Sequence, residues 1–138
     1  MDKKYFTAPE IDILIPQLER IFEHIETCRS RAETLASESI TIPPGKTAKD
    51  VVQLQLVRSQ VEFLMEAVQE DINHIQSLGG VTKDIEAGLV DFLGEVEGQD
   101  VWLCWKKGEH HVRYWHPLDS GFTDRRALRP SDIPPTLH

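Results

Sequence analysis

Residues 88–115 read GLVDFLGEVEGQDVWLCWKKGEHHVRYW, and how this stretch alternates decides the fold. Apolar and polar residues alternate with period two, and all three tryptophans of the chain (Trp102, Trp105, Trp115) fall here. That period belongs to strands. Gly98-Gln99 and Lys107-Gly108 are suited to two-residue turns, so the stretch predicts a meander of strands 88–96, 101–105 and 111–115. Tight turns at those positions set Phe92 opposite Trp105, Leu103 opposite Val112 and Cys104 opposite His111. One face then collects Val90, Phe92, Gly94, Val96, Val101, Leu103, Trp105, Val112 and Tyr114. The other carries Leu89, Asp91, Leu93, Glu95, Trp102, Cys104, His111, Arg113 and Trp115.

Upstream the period is helical. Thr7 with Glu10 three residues later and Pro9 between them is a capping box, so a helix should begin there. Ile11, Leu14, Ile15, Leu18, Ile21, Phe22, Ile25, Cys28, Ala32 and Leu35 line one face of it. Pro16 removes a backbone donor, which should kink or divide that helix. Residues 37–46, rich in Pro, Gly and polar side chains, make a loop. A second seam runs Val51, Leu54, Val57, Val61, Leu64, Val68, Ile72, Ile75, Leu78, and Gly79-Gly80 stops it.

The expected architecture is therefore α+β: a long antiparallel helical hairpin over 7–78, then a small antiparallel β-meander packed on it, with the C-terminal tail, over 79–138. We expect one domain, 1–138, since 138 residues is near the common size of a single domain. Helices of about 45 Å, at ~1.5 Å per residue, exceed what the remainder covers. Val52, Leu56, Phe63 and Met65 are left over, either for a second copy of the chain or for a C-terminal part folding back.

Composition narrows the function classes. A net charge of -8, from 15 Lys+Arg against 23 Asp+Glu, repels phosphate backbones and disfavours nucleic acid. No stretch is apolar enough to span a bilayer, and the N-terminus lacks a signal-peptide core. Two cysteines make no disulfide framework, so a cytoplasmic protein with reduced thiols is expected. There is no phosphate loop, dinucleotide fingerprint, nucleophile elbow or HExxH, and so no named cofactor.

Donors nevertheless gather in the C-terminal half. Cys104 beside an imidazole suits a nucleophile or a metal ligand, although a strand cysteine is by default a small hydrophobe. His116 and Asp119 can converge across the turn begun by Pro117, and are the candidate metal ligands; a solvated loop is the plainer reading. Neighbouring strand residues point to opposite faces, so His110 and His111 cannot share one ion. Arg125, Arg126 and Arg129 suit an anion pocket or pairing with Asp119, Asp124 and Asp132. His24 and His74 read as surface or seam histidines.

The segments Tyr5-Phe6-Thr7, Leu14-Ile15-Pro16, Gly88-Leu89-Val90-Asp91-Phe92, Leu103-Cys104-Trp105, Gly108-Glu109, Tyr114-Trp115-His116, and Asp119 with Gly121-Phe122 and Arg125 together resemble a family of small prokaryotic proteins known only as a domain of unknown function. The resemblance implies two long helices and a small sheet in a bacterial or archaeal cytoplasmic protein, and it implies no activity. Its polar positions here are Asp91, Glu109, His116, Asp119 and Arg125, which become the candidate ligand-binding residues. Two functions follow as expectations. The first is a non-enzymatic assembly module that homodimerises through its helices. The second is a small-molecule or metal-binding protein, an enzyme or not, built on those five residues.

Overall fold

The computed structural model describes residues 4–42 and 47–133. It is α+β: two helices packed against each other, α1 (Ala8–Ser39) and α2 (Ala48–Ser77), precede a five-stranded antiparallel sheet. The strands are β1 (Gly80–Asp84), β2 (Leu89–Val96), β3 (Gln99–Lys106), β4 (Tyr114–Pro117) and β5 (Arg126–Ala127), and they neighbour one another in chain order. Of the loop expected over 37–46, residues 37–39 are instead the last residues of α1, and 43–46 lie outside the described residues, as do the prolines at 134–135. Among the described residues, no helix is long and apolar enough to cross a membrane.

The chain divides into two compact units. Among the described residues, one joins those up to Arg20 with those from His74 onward; the other lies within Ile21–Asn73.

In the sheet-bearing unit, α1 begins at the expected capping box. The Thr7 amide donates to Glu10 Oε1 at 2.9 Å and the Glu10 amide to Thr7 Oγ1 at 3.4 Å. The helix runs unbroken through Pro16. At its other boundary α2 ends where Gly79 takes φ +103°, a left-handed position a side chain resists. Gly80 is already the first residue of β1, a strand the sequence reading left out. Phe6, Ile11, Ile15, Leu18 and Ile75 from the helical side, and Val90, Phe92, Val96, Val101, Leu103 and Trp105 from the sheet, are buried. Phe6 meets Phe92 edge-on at 5.1 Å between ring centres, and its amide donates to Leu93 O at 2.7 Å.

Both expected hairpin registers need correction, and the two errors differ in consequence. Between β2 and β3 the turn is Glu97-Gly98, with φ +52° and +79°, so Val96 faces Gln99 and Phe92 faces Leu103. Consecutive left-handed residues make the turn that matches strand twist. The slip is two residues, an even number, so every side chain keeps its expected face.

Between β3 and β4 the slip is three. Leu103 faces Trp115, Cys104 faces Tyr114, and Trp102 faces His116, so the expected strand 111–115 does not form and β4 is turned over. The cause is a side chain that competes for the ladder. Glu109 Oε1 accepts the Lys106 amide at 2.7 Å, the Glu109 amide donates to Lys106 O at 2.9 Å, and Trp105 Nε1 donates to Glu109 O at 2.9 Å. The chain curls around Glu109, then docks on α1, where the buried Val112 amide donates to Asp12 Oδ1 at 2.7 Å. His111 goes with it, to Asp12 at 3.2 Å, and is not Cys104's neighbour.

In the helical unit, the buried residues of α1 are Ile21, Phe22, Ile25, Cys28, Ala32 and Leu35. His24 meets Asp71 across the pair at 2.5 Å, and in the other unit His74 meets Gln17 at 3.1 Å, both at the exposed edge between the helices. These pairings run in opposite directions along the chain, as an antiparallel hairpin requires.

Candidate functional site

The inverted β4 creates the site. Because the slip is odd, Tyr114 and His116 join the sheet face of Asp91 and Cys104, and Trp115 takes the opposite face. Asp91 sits directly across from Cys104, and His116 sits across from Trp102, two residues along β3 on the same face. Three strands therefore bring one carboxylate, one thiol and one imidazole together. Their potential ligand atoms all lie within 4.8 Å of one another.

All three are buried: Asp91 and His116 keep 2% of their surface and Cys104 keeps 1%. Buried polar groups of this kind are rare without a partner. His116 Nδ1 lies 2.9 Å from Pro117 O, which can only accept, so Nδ1 carries the hydrogen. Nε2 is 2.8 Å from Asp91 Oδ2. One proton must lie in that contact, either on an imidazolium facing a carboxylate or on a carboxylic acid facing a neutral ring. Asp91 Oδ1 is buried and has no hydrogen-bond partner among the described residues. Burial, and next the Asp91 carboxylate, push the Cys104 thiol up from 9.0 to about 12, against a downward pull from Arg125. The thiol is thus protonated and not a ready nucleophile.

Of the five sequence-predicted residues, Asp91 and His116 form this buried pair, and Glu109 and Arg125 form a second. Arg125 Nη2 donates to Glu109 Oε1 at 2.6 Å and to Cys104 O at 3.2 Å. Its guanidinium lies over the rings of Tyr114 (4.2 Å) and Phe122 (4.7 Å), which holds it half-buried beside β3. The pairing braces the curl around Glu109. Asp119 is exposed on the turn after β4. The neighbouring arginines are also paired, Arg126 with Asp124 at 3.2 Å and Arg129 with nearby Asp132 and with Glu97 of the β2–β3 turn. Trp102 carries Lys83 over its ring at 4.5 Å.

The sequence singles out Cys104 but sets it beside His111, because the odd slip of the second hairpin puts His116 on its face instead. Asp12, whose carboxylate anchors both Val112 and His111, carries no signal in the sequence. A cleft of about 620 Å³ opens beside it, lined in part by Pro9, Arg113, Tyr114, Leu128 and Pro130.

A helical pair followed by a meander that buries an Asp–Cys–His cluster defines a small α+β protein with an internal donor site and no recognised catalytic motif. The chain belongs to DUF2203, an uncharacterised conserved protein family whose model matches residues 4–128. No curated protein and no solved structure matches.

Proposed function

We propose that the protein is a non-enzymatic assembly module whose helical unit pairs with that of a second copy. The observation that carries this reading is the exposure of α2. Val52, Leu56, Phe63 and Met65 keep 54%, 60%, 70% and 47% of their surface, and Val68 is the one buried apolar residue of α2 within Ile21–Asn73. Val52, Leu56 and Phe63 are spaced four and seven apart, so they fall on one stripe of the helix. Beside the stripe runs a groove of about 360 Å³ lined by Leu35, Leu56, Ser59, Phe63 and Leu64.

A second copy suits this surface because the stripe is self-complementary. A two-fold axis near Ser59, where the side chain is small, sets Leu56 of one α2 against Phe63 of the other, and each contact occurs twice. Lys49 and Glu70 lie on the same stripe, seven residues before Leu56 and seven after Phe63, with opposite signs, so an antiparallel crossing about that axis brings unlike charges within reach. Four helices then share a core that two cannot close.

Light scattering coupled to gel filtration tests it. The full chain should elute with twice the chain mass, and Phe63→Glu should elute as a monomer with its sheet signals unchanged. Ile13→Glu, on an exposed position of α1 in the sheet-bearing unit, should remain a dimer. A wild-type monomer at high concentration removes the proposal.

A further inference from the structure

We propose that Asp91, Cys104 and His116 form a binding site for a thiophilic divalent cation of the zinc class. The reading is independent of dimerisation, since all three donors belong to the sheet-bearing unit.

Geometry carries it first. Three donors of different chemistry, from three different strands, converge to within 4.8 Å in an interior where each is almost wholly buried. Bonds of about 2.0–2.3 Å at tetrahedral angles put ligand atoms roughly 3.3–3.7 Å apart, so a small expansion of the 2.8 Å His116–Asp91 contact admits an ion. The imidazole is already set for the task. Its Nδ1 hydrogen is committed to Pro117 O, which leaves Nε2 as the coordinating nitrogen and fixes the ring.

The unpartnered oxygen is the second, separate observation. Asp91 Oδ1 is buried without a hydrogen bond, a state that costs about 1–3 kcal/mol if nothing engages it. Coordination through both Asp91 oxygens engages Oδ1 and gives, with Cys104 Sγ and His116 Nε2, a four-donor set that is a distorted tetrahedron, because two of its atoms belong to one carboxylate. The thiolate selects against magnesium and calcium, which require oxygen ligands, and for zinc and its soft neighbours.

Charge also balances. Without metal, one proton lies between Asp91 and His116 and another on the Cys104 sulfur, and the cluster is neutral. With metal, both protons leave, the thiolate and carboxylate contribute two negative charges, and the divalent ion cancels them. The interior carries no net charge in either state, which is the condition for burying the group at all.

Cobalt substitution of the full chain reads the site directly. The expected result is one Co²⁺ per chain, displaceable by Zn²⁺, with a near-ultraviolet thiolate-to-cobalt band and the strong visible absorption of a tetrahedral ion. Cys104→Ser should lose the thiolate band and Cys28→Ser should keep it, while Asp91→Asn, which removes a charged ligand, should weaken Co²⁺ binding by more than the about 10-fold that loss of a merely supporting group costs. Absence of the band in the folded wild-type protein overturns the proposal, as does its survival in Cys104→Ser. Because the wild-type spectrum alone can refute the site, misfolding of a variant does not protect it.

Discussion

The two compact units handle their apolar residues differently. In the sheet-bearing unit Phe92, Trp105, Val90 and Ile11 reach 0% exposure, and even a carboxylate and an imidazole are sealed inside. In the helical unit α1 buries its stripe from Ile21 to Leu35, but α2 leaves Phe63 at 70% and Leu56 at 60%. A sheet face and two helix ends close a core within one chain, because the strands present apolar residues at period two on a broad surface. A helix pair offers one seam, and any apolar residue off that seam needs another element. The contrast separates a unit that closes its core in one chain from a unit that leaves apolar side chains exposed, which the proposed pairing would cover.

The sharpest break of this comparison is a matched pair of truncations. Phe92→Ala should cost about 3–5 kcal/mol in urea unfolding, whatever the protein concentration. Phe63→Ala should cost almost nothing if the chain acts alone, and should destabilise measurably, more so at low concentration, if Phe63 is buried by a second copy.

Within the sheet-bearing unit, Asp91→Ala leaves His116 Nε2 buried and unpaired, and should cost about 3 kcal/mol by the same measurement. Asp91→Asn should recover most of that, since the amide can donate to a neutral ring. Next in size is Asp12→Ala, which strands the buried Val112 amide: about 1–2 kcal/mol is expected, with faster amide exchange at Val112.

The smallest effect at neutral pH belongs to Cys104. Its folded thiol titrates near 12 against an ordinary value of 9.0, so its contribution is complete below pH 9 and is lost as pH rises toward 12, where the unfolded thiol ionises first. Metal-free wild-type protein under reducing conditions should therefore lose more stability than metal-free Cys104→Ala between pH 9 and 12, and the two should run parallel below pH 8.

Much of the fold was legible in the sequence because period and capping are local. Thr7 and Glu10 announced α1, and the alternation from Leu89 to Trp105 gave β2 and β3 with their correct faces. The edge strands were not legible. β1 hides behind Gly79-Gly80, which reads as a helix stop, and β5 is two residues long. The site was half legible: Asp91 and His116 stood out as polar residues in apolar surroundings. Their contact depends on a three-residue slip set by Glu109 and Asp12, and Asp12 lies 100 positions from the Val112 amide it captures. Local spacing carries no trace of a contact at that separation, so Cys104 was set against His111 instead.

Completion of the helical unit by a second copy is tested most directly by the thermal midpoint of the helical signal as a function of chain concentration. Mass action requires the midpoint of a folding-coupled dimer to rise with concentration. Dimerisation through α2 predicts a steady rise over three decades of dilution in the wild type and a flat line in Phe63→Glu. A wild-type midpoint independent of concentration, with Phe63→Glu melting at the same temperature, would contradict it.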